Sequence, residues 1–305
     1  MSQETLTQIR AMLDELKEAA RTGSMIPVRV PGQIDAILAL LDGLETAQAA
    51  AAPADAAGPA SAPASAPDIP ASIAEERAQT SELLSIAVHE MRVPLTSIRG
   101  YADMLDKGML GELSDQQAQF VATIRANALR LERLIADVND FGKIRGGRLH
   151  LDRKMDTAKN VLLMAEKRVR DLAAERRQTL TFDVPDGLPL LNVDSARIAQ
   201  ALAYLIENGL AYSPEGSTVT VTAQGEGATL RVAVTDQGIG MTADDLAHLG
   251  EPFWRAEHEV IRSVKGHGLG YVVAKGIIEA HGGTMFVDSV FEQGSTFGFT
   301  LPGMT

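Results

Sequence analysis

The sequence contains no cysteine, so disulfide bonds and thiolate-ligated metal sites are excluded. Aromatic residues make up only 4% of the 305 residues, so any hydrophobic core must be built from aliphatic side chains. No apolar run approaches the ~20 residues that a membrane-spanning helix needs. The N-terminal segment MSQETLTQIR is polar and acidic, unlike a signal peptide. We therefore expect a cytoplasmic protein with no membrane span.

Positive charge is also scarce. The chain has 28 Lys and Arg residues against 40 Asp and Glu residues, which gives a formal net charge of −12. This balance argues against nucleic acid or an anionic membrane surface as the main partner. An acidic chain can still bind a nucleotide at one site lined by backbone amides or by a few basic residues.

Four segments with different patterns follow one another along the chain. Residues 1–46 carry apolar residues at helical spacing on both sides of a break, which predicts a helical hairpin. Residues 47–70 are rich in Ala, Pro and Ser and predict a flexible tether. Residues 71–146 are helical in pattern. Residues 147–305 alternate short strands with helices, which predicts a two-layer α/β sandwich with a mixed sheet.

Two apolar seams run through residues 71–146, each with alternating steps of four and three residues. Because two such helices cannot close a core alone, we expect a homodimer that forms a four-helix bundle. Asn127, the polar member of the second seam, either fixes the register of the helix packing or lies at a solvent-exposed edge of the bundle. Ser114 and Gln117 predict a capping box. The seams are Leu84, Val88, Met91, Leu95, Ile98, Ala102 and Leu105, then Phe120, Ile124, Asn127, Leu131, Leu134, Val138 and Phe141.

A histidine directly follows a seam residue in the first helix. His89 comes after Val88, so its ring should emerge beside the groove of the bundle. A neutral imidazole can attack a phosphoryl group, and the adjacent Glu90 can accept the ring proton. Pro94 removes the helical partner of the Glu90 carbonyl and predicts a kink. The His-Glu pair alone is also compatible with an ordinary surface histidine.

Polar and glycine-rich motifs mark the C-terminal segment. Asn208 lies on a predicted helix, where its carboxamide oxygen could ligate Mg²⁺. Asp236 ends a predicted strand, where a buried carboxylate could accept the amino group of adenine, while Gly238 and Gly240 allow close backbone approach. GHGLG at residues 266–270 opens a helix whose free amides suit phosphate. Each motif alone is weak, because similar segments form ordinary turns.

The order of the motifs is more specific than any one of them. HEMRVPLTSIRGYADML, DQGIGM, EPFWR, GHGLGY, EAHGG and GSTFGFTLP follow one another over about residues 80–303. This arrangement resembles the sensor histidine kinases of two-component systems. The resemblance implies a dimerisation and histidine-phosphotransfer domain at 71–146. It also implies an ATP-binding domain of the Bergerat type, the fold shared with gyrase-type ATPases, at 147–305.

The resemblance also assigns residues and partners. It implies ATP and Mg²⁺ as cofactors, with His89 as phosphoacceptor, Glu90 as base, Asn208 as Mg²⁺ ligand and Asp236 as the adenine-binding carboxylate. The expected partners are a second copy of the chain and the receiver domain of a response regulator, and residues 1–46 could dock an upstream sensor protein. The remaining nucleotide-contacting positions are Tyr212, Gly238, Gly240, Phe253, Arg255, Gly266, Gly268, Leu269, Gly270 and Thr296.

The chain departs from the family pattern at three places. Tyr204 and Ala211 stand where the family usually has an Asn and a Lys beside the phosphates, and Arg255, Arg262, Lys265 or His267 could compensate. Val93 replaces a Thr or Asn one helical turn after His89. Its side chain cannot hold a water for hydrolysis of a partner's aspartyl phosphate, so we expect little phosphatase activity.

Two other functions compete with an autokinase. One is a phosphotransfer scaffold whose ATP site is weak or silent, which Tyr204 and Ala211 favour and the intact DQGIG and GHGLG segments oppose. The other is a gyrase-like ATPase. That reaction needs a carboxylate to orient water at the position of Tyr204, and a tyrosine cannot serve as that base.

Overall fold

The computed structural model describes residues 71–264 and 266–304 of the chain. The hairpin predicted at 1–46 and the tether predicted at 47–70 lie outside the described residues. In the described part, no helix is both long enough and apolar enough to span a bilayer.

Two compact units make up this part of the chain. The first contains residues 71–79 and 85–132, and the second contains residues 80–84 and 133–304. The boundary falls inside the second long helix, so the last turns of that helix belong to the second unit. Each unit has its own set of buried apolar side chains.

The first unit is a helical hairpin. Helix α1 spans Ala71–Asp106 and continues through Pro94, and helix α2 spans Asp115–Arg145. The predicted capping box at the start of α2 is confirmed. The Gln117 amide donates to the Ser114 hydroxyl at 3.3 Å, and the Ser114 amide donates to the Gln117 side chain at 2.9 Å.

Buried residues recur every seven positions in the first unit. In α2 these are Val121 and Ala128, which lie beside the predicted seam rather than on it. Phe120 and Ile124, which belong to that seam, are 60% and 46% exposed, and Asn127 is exposed as well. A face of α2 therefore remains uncovered in the single chain. The buried residues of α1 belong to the first predicted seam: Val88, Leu95 and Ala102.

Ion pairs connect the two helices of the hairpin. Arg99 lies 2.6 Å from the Glu132 carboxylate, and Arg125 lies 2.9 Å from Asp103 and 2.6 Å from Asp106. Partly exposed pairs of this kind contribute about 0–1 kcal/mol each. Packing of the apolar residues therefore carries most of the hairpin's stability.

The second unit alternates strands and helices after the end of α2. Its strands are β1 (Lys154–Thr157), β2 (Thr179–Asp183), β3 (Leu190–Val193), β4 (Thr218–Glu226), β5 (Thr229–Thr235), β6 (Thr284–Val290) and β7 (Gly294–Met304). Its helices are α3 (Ala158–Glu175), α4 (Ser195–Tyr212), α5 (Ala243–Ala247), α6 (Glu259–Ser263) and α7 (Gly270–Ala280).

The seven strands form one mixed sheet. Its order is β1-β3-β7-β5-β4-β2, with β6 also paired to β7. The β2–β4 pair is parallel and the other pairs are antiparallel. Strands β4 and β5 show the alternation of buried and less buried residues that is typical of a sheet with one covered face.

Three helices cover that face and complete the core. The long helices α3, α4 and α7 each contribute buried apolar residues, and Phe141 of α2 joins the same core. Helix α4 is capped by Asp194, whose carboxylate accepts from the Arg197 amide at 3.2 Å. The predicted two-layer α/β fold with a mixed sheet is confirmed. It places Gly209 of α4 against Asp236, which follows β5, and Gly270 of α7 against Tyr204 of α4.

Candidate functional site

His89 lies on the surface of the first unit. Its side chain is 73% exposed, and its Nδ1 atom is 3.7 Å from a carboxylate oxygen of Glu90. Val88, which precedes it, is 2% exposed and anchors this turn of α1 in the hairpin. Val93, one turn later, is 61% exposed. A partner that reaches the imidazole therefore also meets Val93.

In the second unit, Asp236 lies just after β5 and is the centre of a polar site. Its side chain is buried, and its Oδ1 accepts hydrogen bonds from the amides of Gly238 at 2.8 Å and Ser295 at 3.2 Å. Burial raises the pKa of Asp236, although the two amide bonds oppose the rise. Within the described chain no donor binds Oδ2, so this oxygen is free to accept a hydrogen bond from a ligand.

Two glycines let the backbone pack tightly beside Asp236. A Cβ atom at Gly238 would lie 2.8 Å from both the Asp236 Oδ1 and the Tyr212 carbonyl oxygen. Gly240 has a φ of 64°, and a Cβ there would overlap the carbonyl of Val290. A side chain at either position would therefore displace the end of α4 or the β6–β7 turn. Tyr212, the last residue of α4, forms part of this packing.

Asn208 lies one turn before the end of α4. Its neighbour Gly209 packs on Asp236, because a Cβ at Gly209 would lie 3.3 Å from the Asp236 Cβ. The Asn208 side chain is half-buried, and its carboxamide has no hydrogen-bond partner among the described residues. No group of three or more His, Cys, Asp or Glu side chains in the same part of the chain could hold a metal ion. A carboxamide oxygen is a type of ligand that Mg²⁺ accepts, and the role of Asn208 as that ligand remains a prediction.

The glycine segment at residues 266–270 is held by the preceding loop. Arg255 donates to the backbone carbonyls of Gly266 at 3.0 Å and Val264 at 2.7 Å, and also to that of Ile261. These bonds make Arg255 a brace for the segment. Direct contact between Arg255 and a nucleotide remains a prediction.

Backbone conformation brings the same loop close to the glycine segment. Phe253 has a φ of 64°, and a Cβ at Gly268 would lie 2.7 Å from the Phe253 carbonyl carbon. The Phe253 ring packs edge-on against Phe141 of α2, with 6.3 Å between the ring centroids. Leu269 is fully buried at the start of α7. Gly270 follows it and lies against the ring of Tyr204, because a Cβ there would be 3.2 Å from that ring.

Thr296 lies at the edge of the Asp236 site. Its hydroxyl is hydrogen-bonded to that of Thr235 at 3.0 Å, across the β5–β7 pair. The next residues along both strands, Asp236 and Ser295, form the amide network described above. Sequence motifs singled out Thr296 and Asp236, whereas the role of the Ser295 amide became visible only in the strand pairing.

Another residue that sequence reasoning missed is Asp137, near the end of α2. It is 1% exposed, and Oδ1 of its carboxylate accepts a hydrogen bond from the hydroxyl of Tyr204. Burial, together with the Asp137 charge, raises the pKa of Tyr204, so this hydroxyl remains a donor. Asp137 lies three residues after Leu134 and four before Phe141, but Arg133 and Asp140 are also within one turn of it, so the sequence pattern did not set Asp137 apart.

Two family profiles match the chain. Residues 79–147 match the His Kinase A (phospho-acceptor) domain. Residues 193–304 match the histidine kinase-, DNA gyrase B- and HSP90-like ATPase family. The first match contains His89, and the second contains Asn208, Asp236 and the glycine segment.

Individual proteins and one solved structure resemble the chain over the same region. It is 33% identical to the non-motile and phage-resistance protein of Caulobacter vibrioides, over 73% of this chain and 27% of that protein. It is 32% identical to the histidine protein kinase DivJ of the same organism, over 74% of this chain and 38% of DivJ. The structure of full-length ShkA in complex with AMPPNP is 26% identical, with a TM-score of 0.63, and covers 74% of this chain and 46% of ShkA.

The chain therefore spans less than half the length of these three relatives. The phospho-acceptor profile and the ATPase profile nevertheless match in the order in which the two units occur. The site residues lie inside the matched regions. The chain belongs to the sensor histidine kinase family.

Proposed function

We propose that the chain is an ATP-dependent histidine autokinase that phosphorylates its own His89. It then passes the phosphoryl group to an aspartate in the receiver domain of a response regulator. In this proposal the active form is a homodimer, and residues 1–46 dock an upstream sensor protein. The observation that carries the proposal is an exposed His89 beside Glu90, within the region that matches the phospho-acceptor family.

The proposed reaction needs a free ring nitrogen and a proton acceptor. Nε2 of His89 forms a bond to the terminal phosphorus of ATP while the bond from that phosphorus to the ADP oxygen breaks. The proton on Nδ1 passes to Glu90, whose oxygen is 3.7 Å away and needs only a side-chain rotation to come within hydrogen-bond reach. Exposure of both side chains allows this movement.

The nucleotide is proposed to bind at the Asp236 site. The free Oδ2 of Asp236 accepts the adenine amino group, and the tight backbone at Gly238 and Gly240 shapes the pocket around the base. Asn208 would hold Mg²⁺, which would neutralise phosphate charge during transfer. The amides at the start of α7 suit the phosphates, because a helix N-terminus favours negative charge.

A second candidate is a phosphotransfer scaffold with a weak ATP site. One observation favours it: Tyr204, at a position where the family usually has a polar phosphate-side residue, is turned toward Asp137 of α2. The free Asp236 Oδ2 and the free Asn208 carboxamide oppose it. Titration with a fluorescent ATP analogue separates the two candidates, because a scaffold with a weak or silent ATP site would bind the analogue weakly or not at all.

The autokinase proposal is tested by incubation with labelled ATP and Mg²⁺, followed by acid or base treatment. A phosphoryl group on histidine is labile in acid and stable in base, whereas a serine or threonine phosphate shows the opposite behaviour. We expect an acid-labile, base-stable phosphoprotein. An acid-stable label, or no label while ATP still binds, would contradict the proposal.

A further inference from the structure

A buried carboxylate of α2 contacts both α4 and the glycine segment. Asp137 accepts the Tyr204 hydroxyl through Oδ1, and its Oδ2 lies 3.1 Å from Nε2 of His267. Gln200 donates to the Tyr204 hydroxyl at 3.4 Å. Asp137 thus connects α2 with the segment that begins α7.

The contact with His267 is incomplete. Nε2 of His267 lies 3.1 Å from Oδ2 of Asp137, but this contact does not have the geometry of a hydrogen bond. Oδ2 of Asp137 therefore has no hydrogen-bond partner among the described residues, and neither has Nδ1 of His267. Both atoms are buried. The contact is therefore an ion pair with poor hydrogen-bond geometry when the imidazole is protonated. Buried polar atoms without partners favour any rearrangement that supplies one.

A neighbouring carboxylate of α2 provides a contrast. Asp140, one turn further along α2, is also buried, but Arg197 donates to it at 2.6 Å and Gln200 at 2.9 Å. Its charge is paired and its acceptor is satisfied. The partners of Asp137 are instead the neutral Tyr204 hydroxyl and His267. No arginine pairs with its negative charge among these contacts, and the charge lies close to the glycine segment.

We propose that Asp137 is a latch: it holds His267 and Tyr204 against α2 and competes with nucleotide phosphates for His267. This inference rests on the proposed function, because it requires the glycine segment to receive phosphates. A carboxylate beside that segment disfavours a polyanion, and a histidine engaged by Asp137 cannot also donate to a phosphate through Nε2. Nucleotide therefore binds after the latch opens, and its apparent affinity is reduced by the fraction of closed molecules.

The affinity test compares three variants of the full chain with the wild type, using a fluorescent ATP analogue with Mg²⁺. Asp137→Asn keeps the size of the side chain and an oxygen for Tyr204, but it removes the charge, so we expect about threefold to tenfold tighter binding. Asp140→Asn makes the same charge change one turn away and should leave affinity within about twofold. His267→Gln removes the latch and the phosphate donor together and should not tighten binding.

Hydrogen–deuterium exchange without nucleotide tests the latch independently. We expect the amides of residues 266–270 to exchange faster in Asp137→Asn than in the wild type and in Asp140→Asn. The proposal requires both the tighter binding and the faster exchange, and it is overturned if either is missing. If the wild type binds no nucleotide at all, the proposed function fails as well. The exchange data then show whether α2 still restrains the glycine segment.

Discussion

Asp236 combines burial with a fixed orientation, because two amides hold one carboxylate oxygen and leave the other free. In Asp236→Asn, the carboxamide oxygen can still accept from Gly238, but the other atom becomes a donor facing the adenine amino group. We expect ATP binding to weaken by about tenfold to a hundredfold, the cost of about 1–3 kcal/mol for a buried group left unpaired.

Titration with a fluorescent ATP analogue measures this change. Asp194→Asn is the matched control, since asparagine caps a helix about as well as aspartate and Asp194 caps α4 away from the adenine site. Unchanged affinity in Asp236→Asn would place the adenine elsewhere.

Val93, on the exposed face of α1, concerns a different reaction, the hydrolysis of a partner's aspartyl phosphate. It is one turn from His89, and its side chain has no hydrogen-bonding atom with which to position a water. We expect slow release of phosphate from a phosphorylated response regulator in the presence of the protein and ADP. Val93→Thr should accelerate the release several-fold by restoring a hydroxyl.

The isosteric relation between valine and threonine makes this comparison a clean one. Val88→Thr would not serve as a control, because Val88 is buried and a hydroxyl at this position would destabilise the hairpin. Val260→Thr, on the exposed surface of the second unit, leaves the face beside His89 unaltered. Fast release by the wild type that Val93→Thr does not change would contradict the account.

Sequence motifs identified those residues whose surroundings are local. Asp236 and Gly238 lie two positions apart, and the hydrogen bond between them is encoded in one short segment. Asp137 and Tyr204 are 67 positions apart, so their contact depends on how α2 packs against α4. A single sequence contains no direct signal for such a pair.

Among the elements, the sequence pattern predicts helices around residues 158–175, 195–210 and 271–281, and α3, α4 and α7 lie close to these ranges. The pattern predicts strands at residues 180–184, 219–223, 230–236, 284–289 and 296–301, and it misses β1 and β3. Each has four residues, and they pair with each other at one side of the sheet. All four residues of β1 are exposed or half-buried. Strand β1 therefore lacks the alternation of buried and exposed residues by which a strand can be recognised.

The junction of α7 with the start of α4 contains a buried histidine. The Nε2 atom of His281 accepts from the Asp194 amide at 3.0 Å, and its Nδ1 atom donates to the Ile277 carbonyl at 2.8 Å. This pattern requires the neutral ring. Burial lowers the pKa of His281 below its ordinary value of 6.5, although the bond to Ile277 opposes the shift.

Because the unfolded chain takes up this proton more readily than the folded one, stability is fully present above pH 6.5 and declines as the pH falls below it. The decline is at most about 1.4 kcal/mol per pH unit. Denaturant unfolding at pH 7.5 and 5.5 should show a larger loss in the wild type than in His281→Gln. His248, whose pKa is raised by its bond to Glu251, acts in the opposite direction but is common to both proteins. Equal losses in the two proteins would contradict this role for His281.

On the scale of the whole molecule, the uncovered face of the hairpin matters most. Phe120, Ile124 and Tyr101 are each more than 45% exposed, and the first two belong to a seam that the sequence predicts to lie inside a four-helix bundle. A second copy of the chain would bury them. The homodimer remains a proposal, as does docking of a sensor protein on residues 1–46.

The central claim is that His89 receives the phosphoryl group, and labelling of His89→Gln with radioactive ATP tests it most directly. His89 lies on the first unit, whereas the proposed nucleotide site lies on the second. The variant should therefore bind the ATP analogue with wild-type affinity and incorporate no acid-labile label. Wild-type labelling of the variant would contradict the claim, because the phosphoryl group would then be carried by another residue.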